Sequence, residues 1–301
     1  MNKKVYINRK PVLGPWGGGN KFVTILAEYL EKLNYNVVYE LSHDVDIIFC
    51  FDPRPNSEGI WYQDFINHKV KHGSKIIQRV GDVGTHSKPD LNLLVKESTK
   101  ISDYVIFPSK WSKNKIGFEK DNFSIIHNAP LPIFYNHKNK INSKKLKLVT
   151  HHWSTNEKKG FNIYEYLGEA ISKELIENIE FTFIGRYNHS YSSNGINLVK
   201  PMDELNLSLV LPKYDLYLTA SLEEAGANHV LEAMACGLPV LYRSGGGSIN
   251  EYCKNHGIEY DSKEKLLEIL RIISKSKIPT KKYNNTITES IKEYEKIICK
   301  I

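Results

Sequence analysis

SLEEAGANHVLEAMACGLPVLYRSGGG, running from Ser221 to Gly247, is the stretch whose reading decides the fold. Just ahead of it, Leu216–Thr219 is a short apolar run of strand type, and an acidic loop with Glu223 and Glu224 follows. From about Asn228 to Cys236 the apolar residues recur at helical spacing. Gly237 is placed to stop that helix in the left-handed conformation, and a new strand starts at Pro239. Strand, loop, helix and strand in this order make the repeating unit of a parallel sheet. Gly226 and Ala227 keep the loop small, so backbone N–H groups near Asn228 and His229 point outward at the helix start. That is an anion site suited to a diphosphate. Glu232 lies one turn into the helix, so Glu224 and Glu232 flank one crevice at the C-terminal ends of strands, where open α/β sheets take their ligands.

The same rhythm extends along the chain. Strand-like runs occur at Val5–Ile7, Val37–Tyr39, Ile47–Phe51, Lys75–Val80, Tyr104–Phe107 and Ser124–His127. After a break they resume at Leu146–Thr150, Phe181–Ile184, Ile196–Val199, Leu216–Thr219 and Val240–Tyr242. Several are apolar on both faces, as strands buried in a parallel sheet are. Helix-like stretches lie between many of them, among them Phe22–Leu33, with Leu26, Tyr29, Leu30 and Leu33 on one face and Asn20 as its N-cap. The break is the polar, Lys- and Asn-rich segment Leu131–Lys145, which reads as an interdomain linker. A second polar stretch, Lys275–Asn285, precedes a terminal helix at Thr286–Cys299. The pattern predicts two doubly wound α/β domains, 1–140 and 141–285, followed by a helix, 286–301, free to return to the first domain.

A chain of 301 residues has room for two such domains, and its 41% hydrophobic and 25% charged content is that of an ordinary globular protein. Cys50, Cys236, Cys253 and Cys299 form no C-x-x-C and have no His at zinc spacing, which fits a reducing compartment. The start, MNKKVYINRKP, has no apolar run after its basic flank, and no run approaches the ~18 residues of a membrane span. The expectation is a cytoplasmic chain. Charge is uneven: residues 1–144 hold 21 Lys+Arg against 14 Asp+Glu, whereas 145–301 hold 20 of each. Either the coding sequence is biased toward Lys and Asn, or the first half meets something anionic, such as a membrane surface or a phosphorylated acceptor. No Lys/Arg cluster is interleaved with aromatics, so nucleic acid is not expected.

The run Glu224, Glu232 and Ala233 to Val240 resembles the E-x7-E donor-site signature, E-x-x-x-x-x-x-x-E-A-M-A-C-G-x-P-V, of retaining glycosyltransferases with the GT-B fold, the glycosyl transferases group 1. The resemblance implies two Rossmann-like domains with a cleft between them, the first serving the acceptor and the second a UDP- or GDP-linked sugar. It implies that Glu232 accepts hydrogen bonds from the ribose hydroxyls and that Glu224 sits by the transferred sugar. Lys159, in Lys158-Lys159-Gly160-Phe161, resembles the family Lys that contacts the donor phosphates. Phe183-Ile184-Gly185-Arg186 resembles the strand-end turn near the nucleotide, and Gly245-Gly246-Gly247 the glycines after the Pro-Val strand. The glycines of Gly14–Gly19, with Gly18 and Gly19 closest to the helix, resemble the loop that reaches the donor. Ala227, Asn228 and His229 would line the diphosphate end. The implied reaction moves a sugar to an acceptor hydroxyl of a glycan, lipid or protein, with retention, without metal and without a resident cofactor.

The chain departs from the family pattern in places. Ala225, Gly226 and Ala227 stand where Phe-Gly is usual, and Ser154 stands where the phosphate-binding Arg is expected, leaving Arg186 or Arg243 to replace that cation. His86, in RVGDVGTH, is the candidate for a His near the reacting sugar; a polar loop His is the competing reading. Arg79 and Asp82 share that stretch. His151 and His152 end a strand, and alternation lets at most one line the donor site directly. Trp16, Trp111 and Trp153 read as packing residues, and Asp44-Val45-Asp46, formally a D-x-D, precedes its strand and so sits at the wrong end for a metal site. A nucleotide-sugar epimerase of the same fold and a catalytically silent sugar-binding partner subunit remain as alternatives.

Overall fold

The computed structural model describes residues 3–12, 18–135, 145–274, 281 and 283–301. Gly14–Gly17 of the glycine loop with Trp16, residues 136–144 of the expected linker, and much of the Lys275–Asn285 stretch lie outside them. In chain order the elements are β1 (Lys4–Ile7), α1 (Gly18–Lys32), β2 (Asn36–Val38), β3 (Ile47–Cys50), α2 (Tyr62–His72), β4 (Lys75–Arg79), α3 (Pro89–Ile101), β5 (Tyr104–Phe107), α4 (Lys110–Ile116) and β6 (Phe123–Ile125). They continue as β7 (Leu146–His152), α5 (Phe161–Ser172), β8 (Ile179–Gly185), β9 (Ile196–Val199), α6 (Glu204–Val210), β10 (Leu216–Thr219) and α7 (Asn228–Ala235). The last are β11 (Val240–Arg243), α8 (Ser248–Cys253), β12 (Gly257–Tyr260), α9 (Lys263–Ile273) and α10 (Ile287–Lys300).

Two compact units result, Met1–Asn128 with Ile287–Ile301, and Ala129–Thr286. The first holds a six-stranded parallel sheet in the order β2-β1-β3-β4-β5-β6. Its central strands are apolar on both faces because helices cover both, so Val5–Ile7, Ile47–Cys50 and Val105–Phe107 are buried throughout, without alternation. Helix α1 buries Phe22, Val23, Leu26, Ala27 and Leu30. Helix α10 packs on this unit through Ile291, Tyr294 and Ile298, with the Tyr294 ring edge-on to Phe22 at 4.8 Å. Asn20 does not cap α1 as expected. The helix already starts at Gly18, and both amide atoms of Asn20 bond the backbone of Val12 at 2.8 Å.

The second unit holds another six-stranded parallel sheet, ordered β12-β11-β10-β7-β8-β9. The chain leaves β7 toward β8 and β9, then returns to place β10 on the other side of β7. The switch in direction therefore falls between β7 and β10, and the crevice for a ligand opens at their C-terminal ends. Phe161, Tyr164, Leu167 and Phe183 fill one face of the sheet, and Val149, Val230, Leu231 and Val240 the other. The start of the expected linker proves to be core. Pro132–Phe134 is a turn of 3₁₀ helix whose fully buried Phe134 joins Val149 and Leu231. Burying a Phe side chain is worth about 1.5–3 kcal/mol, enough to recruit this segment from the linker. The half-exposed edge strand β12 has no counterpart in the sequence reading.

Candidate active site of the second unit

Two loops meet at the switch point. The one after β7 ends at Gly160, and the one after β10 begins at Ala220. Gly160 has φ +85°, and a Cβ on it would stand 2.4 Å from the Cβ of Ala220. Only a glycine combines that conformation with that approach. The N–H of Leu222 donates to the Lys158 carbonyl at 2.8 Å, which fastens the loops together. Lys158 consequently pairs with Glu223, and Lys159 Nζ lies 2.5 Å from Glu224 Oε1, both partners of the latter pair being 14% exposed. The backbone of Glu224 is held on its far side by the glycine loop. Its N–H donates to the Gly246 carbonyl at 3.1 Å, and its carbonyl accepts from Ser248 at 2.8 Å. Glu224 is thereby a fixed carboxylate rather than part of a loose acidic loop.

Helix α7 starts at Asn228 with Ala227 as its N-cap and no side-chain cap. It stops where Gly237 takes φ +80°. Its Glu232 side chain points back to the end of β7, with His151 Nε2 at 2.8 Å from Glu232 Oε2. His229, in the first turn, has Nε2 3.1 Å from Thr219 Oγ1 at the end of β10. His152 projects to the other face, as alternation requires. There its Nε2 is 2.8 Å from the Tyr164 hydroxyl, which also accepts the Ala220 N–H at 3.0 Å. Burial pushes the Tyr164 phenol up to about 12, so it stays protonated. Burial, with Glu232 adding to it, likewise pushes the Cys236 thiol up to about 12. His151 Nδ1 and Ser221 Oγ are buried without a hydrogen-bond partner, and both stand at the strand ends that open the crevice. Polar groups so left await a partner.

Glu224, Lys159, Glu232, Asn228 and His229 thus gather at one end of the second sheet. Ala227 is different: it is buried and its N–H donates to Ser248 Oγ at 3.0 Å, so it is not aimed at a ligand. Arg186 is exposed and stacks over Trp153 at 4.7 Å, leaving Trp153 45% exposed rather than in a core. Gly18, Gly19 and His86 belong to the first unit. Gly19 lies against Phe51, and His86 occupies the loop between β4 and α3 near Asp82. The D-x-D carboxylates are engaged ahead of β3, Asp44 by Lys4 Nζ at 2.8 Å and Asp46 by the Lys4 N–H at 2.6 Å. The His151–Glu232 contact was not anticipated from sequence. Its only signal was the position of His151 at the end of the strand beside the switch.

Residues 152–273 match the family described as glycosyl transferases group 1. Among curated proteins, no sequence matches the chain. Several solved structures share its architecture. WaaG, a glycosyltransferase involved in lipopolysaccharide biosynthesis, has a TM-score of 0.64 at 14% identity, over 91% of this chain and 90% of that one. Sucrose-phosphate synthase from Thermosynechococcus elongatus has a TM-score of 0.66 at 14% identity, over 100% and 97%. The pneumococcal O-GlcNAc transferase GtfA in complex with UDP and GlcNAc has a TM-score of 0.58 at 15% identity, over 93% of this chain and 60% of that one. At such identities the likeness speaks for the fold, and the family match speaks for the chemistry. The matched stretch runs from the end of β7 through both carboxylates, so this part of the second unit is similar to the glycosyl transferases group 1, and the chain shares the α/β fold of the GT-B glycosyltransferases it resembles.

Proposed function

We propose that the chain transfers a sugar from a UDP- or GDP-linked donor to an acceptor hydroxyl, with retention at the anomeric carbon and without a metal ion. One observation carries this reading: Lys159 with Glu224, and His151 with Glu232, converge at the switch point of the second sheet. Glu232 accepts hydrogen bonds from the ribose hydroxyls. The diphosphate lies at the start of α7, near Asn228 and His229, where the helix dipole favours negative charge. Lys159 exchanges its bond to Glu224 for the diphosphate and stabilises the charge that develops as it leaves. Glu224, so released, faces the transferred sugar and positions it for same-face attack by the acceptor. The UDP held by GtfA supports a nucleotide of this kind here. The engagement of Asp44 and Asp46 by Lys4 supports a metal-free reaction, since the D-x-D carboxylates are taken up at the wrong end of their strand.

The first unit is assigned the acceptor, a glycan or glycolipid hydroxyl, with His86 as the candidate for a His near the reacting sugar, while Gly18 and Gly19 stay assigned to the donor. We also assign α4 a peripheral contact with the inner, anionic face of a membrane, in a cytoplasmic protein. A thermal-shift series with UDP, GDP, ADP and their sugars tests the donor reading. A ligand at a hundred times its Kd adds about 2.7 kcal/mol to stability. No shift with any nucleotide sinks it. Transfer should survive EDTA; loss on chelation, restored by Mn²⁺ or Mg²⁺, counts against the metal-free step. Turnover of donor without any acceptor would identify an epimerase instead.

A further inference from the structure

The C-terminal end of β4 in the first unit holds a charge that the donor chemistry does not use. Arg79 is 5% exposed. Its guanidinium carbon lies 4.3 Å from the Phe22 ring centroid and 5.2 Å from that of Phe51. Asn128 Oδ1 accepts from its Nη2 at 3.0 Å, and the Tyr294 phenol feels its charge. Its Nε is buried with no acceptor. Among the described residues no carboxylate pairs with it. The acids at this end of the sheet have other cations, Asp52 being held by Arg54 and Arg9, and Asp82 by Lys88.

A guanidinium does not shed its proton, so burial cannot neutralise it. A buried charge with neutral partners only is costly, and a polar atom left over beside it adds to the cost. Such a residue is kept either as a strut or as half of an ion pair whose other half arrives from outside. The surroundings favour the second. Nη1 lies beneath the exposed Gly81, close enough that a Cβ there would stand 2.5 Å away, so the absent side chain leaves this edge of the fork uncovered. The strand end is the side on which open α/β sheets take ligands. The excess of positive charge in residues 1–144 draws anions toward it.

We propose that Arg79 anchors an oxyanion site in the first unit, taking a phosphate or carboxylate group of the acceptor. The site stands on the first unit alone; its assignment to the acceptor rests on the glycosyl-transfer reading above. The fork of Arg79 receives two oxygens, as guanidinium–phosphate and guanidinium–carboxylate pairs do.

The test uses the full chain with Lys159→Ala, which removes the donor-side cation and its own attraction for phosphate. Melting temperature is followed against sodium phosphate, and separately sodium acetate, at constant ionic strength. The Arg79 Nε–H resonance is followed by NMR in the same titrations. The expected result is a saturable rise in melting temperature together with a shift of that resonance, and the more effective salt names the group. Asn128→Asp supplies an internal counter-charge: it should melt higher than its parent and lose the response. Gly81→Ala, whose Cβ would crowd Nη1 at 2.5 Å, should weaken the anion by roughly tenfold or more, the cost of a lost charged hydrogen bond. A parent that shows neither response, or an Asn128→Asp protein that responds like its parent, overturns the site. Nucleotide binding with Lys159 intact is read independently, so failure of the donor reading is told apart from failure of this one.

Discussion

His151 Nε2 sits 2.8 Å from Glu232 Oε2, joining the end of β7 to the second turn of α7 across the point where the second sheet reverses its strand order. The two side chains are only 10% and 18% exposed, so the contact is shielded from bulk water. It leaves Oε1 of the carboxylate for another donor and fixes the direction in which it faces. In the proposed site that donor is a ribose hydroxyl. A hydrogen bond to a charged group contributes about 1.5–3 kcal/mol, or roughly 10- to 150-fold in affinity. Glu232→Ala should weaken a nucleoside and its diphosphate by the same factor within that range. His151→Leu should lose part of it, and the double variant should lose less than the sum of the two. Calorimetry on the four proteins decides, and additive losses would mean that His151 does not position Glu232.

Lys159 and Glu224 make the complementary prediction. If Lys159 serves the diphosphate, Lys159→Ala should weaken UDP or GDP by roughly 10- to 150-fold and leave the nucleoside untouched. Glu224→Gln should retain nucleotide affinity and lose turnover, because its part concerns the sugar. Equal losses for nucleoside and diphosphate in Lys159→Ala would place the Lys elsewhere.

Cysteine chemistry offers a check that needs no substrate. Cys50 and Cys253 are buried, and burial raises both thiols well above the usual range. Cys236 is pushed up to about 12, first by burial and then by Glu232. A raised thiol pKa lowers the thiolate fraction at any pH below it, and thiolate is the reactive form. At pH 8 iodoacetamide should therefore label the exposed Cys299 first, with the other three appearing only on unfolding. Rapid labelling of Cys236 in the folded protein would show that α7 opens at its C-terminal end.

The parts of the structure that could be read in the sequence are those written locally. Gly237 ends α7, the apolar runs mark β7, β8, β10 and β11, and Glu224 and Glu232 fall at one sheet end because the strand–loop–helix spacing puts them there. What was missed depends on distant partners. Phe134 looks like linker until Val149 and Leu231 are seen to enclose it. Asn20 has the chemistry of an N-cap, but Val12 claims both of its amide atoms. Strand β12 is an edge strand, and GIEY is too polar to announce it. His151 pairs with a residue 81 positions away, so only the fold brings the two together.

The last prediction concerns the surface of α4. Among the described residues, no helix is long and apolar enough to cross a membrane. Lys110, Lys113 and Lys115 lie on or at the start of this helix, with Trp111 between them. Lys115 Nζ lies 5.8 Å from the Trp111 ring centroid and Lys113 Nζ 4.7 Å from that of Phe123, so two of the three charges are held against aromatic faces. Each Lys near an anionic bilayer contributes about 1 kcal/mol, falling away within a Debye length of about 10 Å at 0.1 M salt. Three together would give reversible, salt-sensitive binding on the order of 3 kcal/mol. Sedimentation with vesicles should require anionic lipid, fall as salt rises and drop in a Lys110/Lys113/Lys115 triple-Ala variant. Equal sedimentation with neutral and anionic vesicles would refute the electrostatic contact. The excess charge of residues 1–144 would then have to serve a soluble acceptor instead, for which the oxyanion site at Arg79 is the place to look.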